Sequence, residues 1–331
     1  MAMGLAVLVL LATFALPGCG SRATSSTSGA PPSAPGSAAP APTASPTSPV
    51  TFAIIGDYGM DDANEAAVAK LVASWEPAYI ITTGYDYYHP AGGTGTGQYD
   101  ESTGAYYGPW LKDISTTGTR MPQGKAAVNA FFPSMGNHDY TSAEPSPITY
   151  LTYFTLPGAG FTNTSGNERY YDFVHGRIHF FVLNSNAEEP DGVTQTSNQA
   201  AWLKTQLAAS SSEWNVVYDH HPPYSSDDKH GMTRTLQWPY SQWGADTVIS
   251  GHAHTYERVM RDGIVYFVNG LGGAPRYGFK RPVAGSKLRF NANWGAQKVT
   301  VGKDSLIFEF YDVSGTLRDR YRLARSATAG N

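Results

Sequence analysis

Cysteine is almost absent from this sequence. The 331 residues include a single cysteine, Cys19, so no disulfide can form within the chain. Because the residues after it contain no thiolate, any metal site there must use nitrogen and oxygen ligands. Such ligands suit Zn, Fe or Mn better than Cu(I) or iron–sulfur clusters.

Long apolar runs and excess positive charge are also scarce. Residues 4–16 form an apolar run of about the length of a signal-peptide core, which is short for a membrane span. No later segment is long and apolar enough to predict a transmembrane helix. The formal net charge of −4 argues against nucleic acid as the main partner.

The apolar run ends in Leu16-Pro17-Gly18-Cys19, which resembles the lipobox of a bacterial lipoprotein. No Lys or Arg precedes the run, so an ordinary secretory signal is the alternative. We expect residues 1–19 to be a signal peptide with a lipobox-like end. The protein would then be extracytoplasmic, either lipid-anchored to the envelope or secreted, and would meet the membrane only through a lipid anchor.

Residues 20–49 consist almost entirely of Ser, Thr, Ala, Pro and Gly. Such a composition cannot bury enough apolar surface to offset the entropy lost on ordering, so a disordered linker is predicted. Residues 50–331 are left as one folded domain.

Apolar runs rich in β-branched residues predict an α/β fold. Residues 50–55 and 79–83 indicate strands, and the intervening residues 61–75 have an approximate apolar helical face. Two late strands, near 298–301 and 306–311, are expected to pair antiparallel. Two packed sheets with outer helices fit this pattern better than one open sheet. Residues 89–124, rich in Gly, Thr and Tyr, are predicted to be a long surface excursion.

Four polar clusters each follow an apolar run: Gly56-Asp57-Tyr58-Gly59, Gly136-Asn137-His138-Asp139, His220-His221-Pro222-Pro223-Tyr224, and residues 251–258 (GHAHTYER). Taken singly, each has a structural explanation as a turn, a cap or a buried histidine. Six of the nine histidines, however, lie in or just after these clusters: His138, His220, His221, His230, His252 and His254. In an extended segment His252 and His254 face the same side. The clusters together therefore predict a metal site at the strand ends.

The ordered set of motifs, from about Phe52 to about Gly273, resembles the calcineurin-like metallophosphoesterases, and within them the purple acid phosphatase branch and its bacterial relatives. The resemblance implies a two-sheet β-sandwich flanked by helices. It also implies an exported, metal-dependent hydrolase of the acid phosphatase type, with a phosphomonoester as substrate.

The resemblance further implies a dinuclear centre. One metal ion would be held by Asp57, Tyr88 and His254, and the other by Asn137, His220 and His252. The first site would carry Fe and the second Zn, Mn or Fe. Two cations about 3.5–4 Å apart neutralise and orient an anionic phosphoester and activate water for attack on it.

His138 and His230 resemble family histidines that bind phosphate or protonate the leaving alcohol, so they are the candidate catalytic residues. The alternative for His230 is a solvent-exposed loop residue. We expect His221 to support His220. Glu257 and Arg258 are expected to orient the site from behind.

One motif departs from the family pattern. The family has Gly-Asp-Asn-x-Tyr, in which the Asp bridges the two metals, whereas this chain has Gly84-Tyr85-Asp86-Tyr87-Tyr88. Asp86 comes one residue late, and in an extended segment such a shift turns a side chain to the opposite side.

Three interpretations stay open. Asp86 swings in to bridge the metals, Tyr85 binds one metal as a phenolate, or the dinuclear site is impaired. In the last case the protein would hold one metal ion or be inactive, and the alternative function is a catalytically impaired, phosphoesterase-fold envelope binding protein.

Overall fold

Two β-sheets form the frame of the folded domain in the computed structural model. The structure describes residues 49–84, 86, 97–112, 114–115, 126–140 and 147–325. Within these ranges there are thirteen strands: β1 (Val50–Ile55), β2 (Tyr79–Thr82), β3 (Phe131–Pro133), β4 (Tyr171–His175), β5 (Ile178–Val182), β6 (Trp214–Tyr218), β7 (Thr247–Ser250), β8 (Tyr256–Arg261), β9 (Ile264–Asn269), β10 (Ser286–Phe290), β11 (Gly295–Val301), β12 (Ser305–Asp312) and β13 (Leu317–Ala324).

The first sheet has the strand order β13-β12-β11-β1-β2-β3, and the second has the order β10-β8-β9-β7-β6-β5-β4. In the first sheet β1, β2 and β3 run parallel, while β11 joins β1 antiparallel. In the second sheet β5, β6, β7 and β9 run parallel. The remaining pairs, β4 with β5, β8 with β9 and β10 with β8, are antiparallel. The predicted α/β two-sheet fold is confirmed, and so is the antiparallel pairing of the late strands β11 and β12.

Helices are few and mostly short: α1 (Ala63–Ala73), α2 (Gly97–Tyr99), α3 (Ala105–Tyr107), α4 (Ile148–Tyr153), α5 (Asn198–Ala209) and α6 (Tyr240–Trp243). The Asp62 carboxylate caps α1 by accepting from the backbone N–H groups of Asn64 and Glu65 at 2.8 and 3.0 Å. None of the helices in the described ranges has the length and apolar character needed to cross a bilayer.

The predicted surface excursion at 89–124 is wrong for its described middle part. Residues 97–110 form a nearly continuous helical segment, with a π-helical turn between α2 and α3. Tyr99 and Tyr107 in this segment are fully buried, and their rings pack on Tyr153 and Tyr58 at 5.2 and 5.3 Å. The tyrosines follow no apolar period in sequence, yet their rings are buried among other aromatic rings, and the Tyr99 hydroxyl donates to Asp139 at 2.6 Å. Residues 89–96, 113 and 116–124 lie outside the described part.

Aromatic rings fill the space between the two sheets. Phe52 of β1 meets Phe180 of β5 edge-on at 5.6 Å, and Phe308 of β12 stacks on Phe267 of β9 at 4.8 Å. Each pair joins one sheet to the other. These contacts hold the two sheets face to face, so the loops that follow their parallel strands can meet.

An ion pair also links the two sheets, between β8 of the second sheet and β13 of the first. Arg258 of β8 donates to the Asp319 carboxylate of β13 through Nε at 2.7 Å and Nη2 at 3.1 Å, and the Tyr256 hydroxyl donates to it at 2.9 Å. Asp319 is 6% exposed. Arg258 thus contacts the opposite sheet, and the expectation that it orients the metal site has no support in its contacts.

Removing the Asp319 charge should weaken the joint between the sheets. We expect Asp319→Asn to lower the free energy of unfolding by about 2 kcal/mol, because a partly buried guanidinium loses its charged partner. Urea denaturation of the variant would measure the loss. The matched control is Glu309→Gln, whose partner Arg320 is 62% exposed, so its effect should stay below about 1 kcal/mol. Equal losses in the two variants would contradict this role for Asp319.

Candidate metal centre

The Asp57 carboxylate lies just after β1, in a buried position where a negative charge requires a compensating positive charge. It is fully buried, and neither of its oxygens accepts a well-formed hydrogen bond. Burial raises the pKa of Asp57 well above its usual range, and the nearby backbone N–H of His252 offsets part of that effect. The closest described base is His254, whose Nε2 is 3.6 Å from Oδ1. A buried carboxylate facing an imidazole nitrogen is a donor set that suits a bound cation.

A second group of donors comes from three other strand ends. His220 Nε2 lies 2.9 Å from Asn137 Oδ1 and 3.1 Å from His252 Nδ1. Together with His221, these two histidines present ring nitrogens within 4.8 Å of one another. Burial lowers the pKa of His220 and of His252 well below the usual value, so both rings are neutral. Neutral imidazole is the form that binds metal ions.

Backbone carbonyls fix the orientation of two of these rings. His220 Nδ1 lies 2.8 Å from the Thr83 carbonyl oxygen, and His254 Nδ1 lies 2.6 Å from that of Pro275. A carbonyl can only accept, so each Nδ1 carries the proton and each Nε2 is left with a lone pair. This is the arrangement that orients histidine ligands in metal sites. Thr83 and Pro275 act through their backbone carbonyls, so their side-chain types carry no signal of this role.

Glycines allow the loops to approach this closely. Gly84 has a φ of 87°, and a Cβ there would lie 2.5 Å from His220 Nδ1. A Cβ at Gly270, after β9, would lie 2.6 Å from Asp57 Oδ2 and 2.2 Å from the Ala253 carbonyl oxygen. No side chain fits at either position. The loops after β2 and β9 can therefore close around the donors only with glycine at these points.

The Asn137 turn is supported from the tyrosine-rich segment. Residues Asn137–Asp139 form a 3₁₀ turn, and the Asp139 carboxylate accepts from the Gly136 N–H and from the Tyr99 hydroxyl, both at 2.6 Å. Burial raises the pKa of Asp139 to about 7. The helical segment 97–110 thus holds the turn that presents Asn137.

His230 is exposed, yet its ring lies against the cluster. The ring centroid is 4.0 Å from that of His252 and 5.4 Å from that of Tyr277. The backbone N–H groups of residues 229–231 donate to the Asp227 carboxylate at 2.6–2.9 Å, which fixes the loop. His138 is close enough for the His230 charge to matter: burial lowers the pKa of His138 to about 4, and His230 adds to this. His230 therefore lies against the cluster, and His138 follows the candidate donor Asn137 in the same 3₁₀ turn.

His221 and Glu257 are placed as supports. The Ser185 hydroxyl accepts from the His221 N–H at 2.9 Å, and its oxygen lies 2.8 Å from His221 Nδ1. Glu257 accepts from the N–H and the hydroxyl of Ser226 at 2.7 and 2.6 Å, which anchors the loop that carries His230. Glu257 therefore acts on the site through a loop, at a distance from the donors.

Tyr277 is a site residue that the sequence did not reveal. Its ring stacks on the His254 ring at 4.0 Å with an interplanar angle of 12°, and its backbone N–H donates to the His254 carbonyl at 3.0 Å. Burial raises the pKa of the Tyr277 hydroxyl to about 12. The one available signal was the glycine-rich run at 270–273, which follows β9 as the polar clusters follow their own strands.

The motif at residues 84–88, which departs from the family pattern, is described by the structure only at Gly84 and Asp86. Tyr85 and Tyr88 lie outside the described residues. Asp86 is fully buried, and its hydrogen bonds come from the hydroxyls of Tyr58 and Thr82, the latter at 2.8 Å. Burial raises the pKa of Asp86, and the Asp139 charge adds to this. Oδ1 of Asp86 therefore meets interior hydroxyls, while Oδ2 is buried without a hydrogen-bond partner among the described residues.

Fold and site together define a protein of the α/β sandwich class, with nitrogen and oxygen groups of the kind that bind metal ions at the ends of its strands. Residues 50–256 match the family model of the calcineurin-like phosphoesterases, and the chain belongs to that family.

Its relatives within the family include purple acid phosphatases. Purple acid phosphatase 23 from Arabidopsis thaliana is 26% identical over 257 residues, which cover 68% of this chain and 53% of that protein. Human tartrate-resistant acid phosphatase type 5 is 27% identical over 220 residues, which cover 58% of this chain and 66% of that protein. The chain thus spans about half the length of the first of these relatives.

Solved structures agree with this fold. The purple acid phosphatase PPD1 from yellow lupin seeds superposes with a TM-score of 0.65 at 16% identity, covering 85% of this chain and 54% of the lupin chain. GAP50, described as the anchor in the inner membrane complex of Plasmodium, gives a TM-score of 0.61 at 16% identity, covering 85% and 90%.

Proposed function

We propose that this protein is a metal-dependent phosphoesterase that hydrolyses phosphomonoesters in the manner of an acid phosphatase. The observation that carries the proposal is the Asp57 carboxylate, buried without a well-formed hydrogen bond, 3.6 Å from His254 Nε2. Family membership and the names of the relatives support it.

Two sets of donors are available for metal ions. Asp57 and His254 would hold one ion, with Tyr88 as a further ligand on the family pattern, and Asn137, His220 and His252 would hold the other. Fe with Zn, Mn or a second Fe suits these donors. A bound pair would neutralise the phosphoester and activate water. It would also explain how a chain of net charge −4 accepts an anionic substrate.

The chain itself supplies the proton chemistry and the orientation. His230 is the exposed histidine of the cluster and lies 4.0 Å, ring to ring, from His252. It can therefore meet a substrate, bind a phosphate oxygen and deliver a proton to the leaving alcohol. His138, half-buried and neutral, is suited to accept or donate a hydrogen bond to the same phosphate group.

Loss of one histidine ligand should remove both metal and activity. We expect His252→Ala to lower metal content and the rate on p-nitrophenyl phosphate by about 100-fold or more, since even supporting residues change metal affinity by about 10–100-fold. Elemental analysis and initial rates would measure this. The control is His179→Ala, because His179 pairs with Asp172 at 2.8 Å away from the cluster. Full metal content in His252→Ala, or a wild type that is inactive with Fe, Zn or Mn supplied, would refute the proposal.

The contacts of Asp86 favour the alternative function, a protein with an impaired centre that binds without turnover. Tyr58 and Thr82 hold Asp86 Oδ1, so this oxygen is not available to bridge two metal ions. A second metal would then depend on Tyr85.

Metal stoichiometry separates the three interpretations of this motif. If Asp86 bridges, Asp86→Asn should lose metal; we expect it to keep the wild-type content, because the Tyr58 and Thr82 hydroxyls hold Asp86 Oδ1. If the site is impaired, Tyr85→Asp should raise metal content toward two ions per chain and increase the rate. A loss of metal in Tyr85→Asp would instead show Tyr85 to be a ligand. If the Tyr85 phenolate binds iron, the visible absorbance of the protein should also change in Tyr85→Asp.

We further propose that the protein is exported and lipid-anchored at Cys19. The support is the lipobox-like Leu16-Pro17-Gly18-Cys19. Wild type expressed in a bacterial host should incorporate labelled palmitate and fractionate with membranes, and Cys19→Ser should do neither. A wild type that is released unlabelled into the medium would favour the ordinary secretory signal.

A further inference from the structure

Positive charge is concentrated in one stretch of the chain. Residues 263–303 contain no Asp or Glu and seven basic residues: Arg276, Lys280, Arg281, Lys287, Arg289, Lys298 and Lys303. The whole chain has 23 basic and 27 acidic residues, so the remainder has 16 basic and 27 acidic, a formal charge of −11. A chain that is otherwise strongly acidic thus keeps one basic segment.

Five of these residues lie within 276–289, beside the metal centre. All five are exposed. The segment, which we call the basic rim, begins next to Tyr277, whose ring stacks on His254. It then runs along the loop that carries His230: Asp227 forms a β-bridge with Phe279, and the Lys280 N–H donates to the Ser226 carbonyl at 2.8 Å. The basic rim therefore borders the exposed edge of the site.

Two guanidinium groups of the basic rim are held in place without being neutralised. The Arg276 guanidinium lies 4.4 Å over the Trp294 ring and donates to the Asn291 carbonyl at 2.9 Å. The Arg289 guanidinium lies 5.1 Å over the Phe279 ring and donates to the Lys280 carbonyl at 3.0 Å. Aromatic faces and carbonyls orient a guanidinium but leave its charge and its other N–H groups available.

The nearby carboxylates are engaged by other groups. Asp228 Oδ1 accepts from the Gly278 N–H at 3.0 Å, and Glu257, the cross-strand partner of Arg289, accepts from Ser226. Across the part of the chain that the structure describes, none of the five basic residues forms a salt bridge. With the Asp227 carboxylate, which accepts from the backbone of the His230 loop, five cations stand against three carboxylates, a formal local charge of +2.

We propose that Arg276, Lys280 and Arg289 form a subsite for a second phosphate group of the substrate, so that the preferred substrates are phosphoesters that carry another phosphate. This rests on the proposed function, because the scissile group would lie at the metal centre. A guanidinium matches the oxygens of a phosphate and can donate to two of them at once. At physiological salt the attraction between the basic rim and an anion extends about 8 Å. The rim would therefore attract a second phosphate group on the same molecule whose scissile ester lies at the metal centre.

Paired substrates test the subsite by turnover. We compare fructose 6-phosphate with fructose 1,6-bisphosphate in wild type and in the triple variant Arg276→Gln/Lys280→Gln/Arg289→Gln. Wild type should favour the bisphosphate in kcat/KM by about tenfold, mainly through KM, and the preference should shrink as salt rises. The triple variant should reduce the preference to about twofold, which reflects two esters per molecule. The variant Arg276→Lys/Arg289→Lys, which keeps the charges, should retain part of the preference.

The matched control removes the same charge elsewhere. Lys298→Gln/Lys303→Gln/Arg322→Gln changes residues in β11, β13 and a turn. This region lies near the start of β1, where Val50 pairs with Val301, and away from the strand ends that carry the donors. This control should keep the wild-type preference. Loss of the preference in the control would show an effect of net charge and overturn the subsite.

Binding without turnover separates this inference from the proposed function. Calorimetry of the metal-loaded protein should show tripolyphosphate binding about tenfold more tightly to wild type than to the triple variant, and inorganic phosphate binding equally to both. If neither sugar phosphate is hydrolysed but tripolyphosphate shows this difference, the proposed function fails and the anion subsite stands. If both are hydrolysed with the same ratio in all variants and tripolyphosphate binds equally, the subsite fails and the phosphoesterase stands.

Discussion

A buried carboxylate that lacks a well-formed hydrogen bond is the constraint on which the rest of the centre depends. Asp57 ends β1 in a left-handed conformation, with φ of 57°, and its oxygens face His254 and the Cα of Gly270. Such a group is costly unless a cation compensates it. The surrounding glycines, carbonyls and neutral imidazoles are consistent with a protein interior shaped to receive one.

The centre is also a joint between two sheets. The first sheet contributes Asp57 and the Asn137 turn, and the second contributes His220, His252 and His254. The backbone N–H of Gly272 donates to the Gly56 carbonyl at 2.8 Å, so the loops after β9 and β1 are bonded directly. Anything that shifts one sheet against the other, such as the loss of the Arg258–Asp319 pair, would move the two sets of donors relative to each other.

Sequence reasoning found the donors but misjudged their supports. The strand-end clusters lie close together, with His220 beside Asn137 and His252, while their role as metal ligands stays a prediction. The tyrosine-rich stretch is typical of a surface excursion by its sequence, because its aromatic residues follow no simple period. In the folded chain its described middle part is buried, and Tyr99 holds the Asp139 turn. Arg258 follows the histidines in sequence, yet it reaches the opposite sheet, since its strand β8 leads away from the site.

What the sequence determined by itself was the chemistry available: no thiolate ligand, four polar clusters in a fixed order, and one basic segment in an acidic chain. Only the tertiary structure decided which of these groups meet. His220 lies 2.9 Å from Asn137, which is 83 residues earlier, and the basic rim lies beside His230 because Phe279 pairs with Asp227. Local propensity cannot specify such contacts, because they form only when parallel strands of two sheets bring their carboxyl ends to one place.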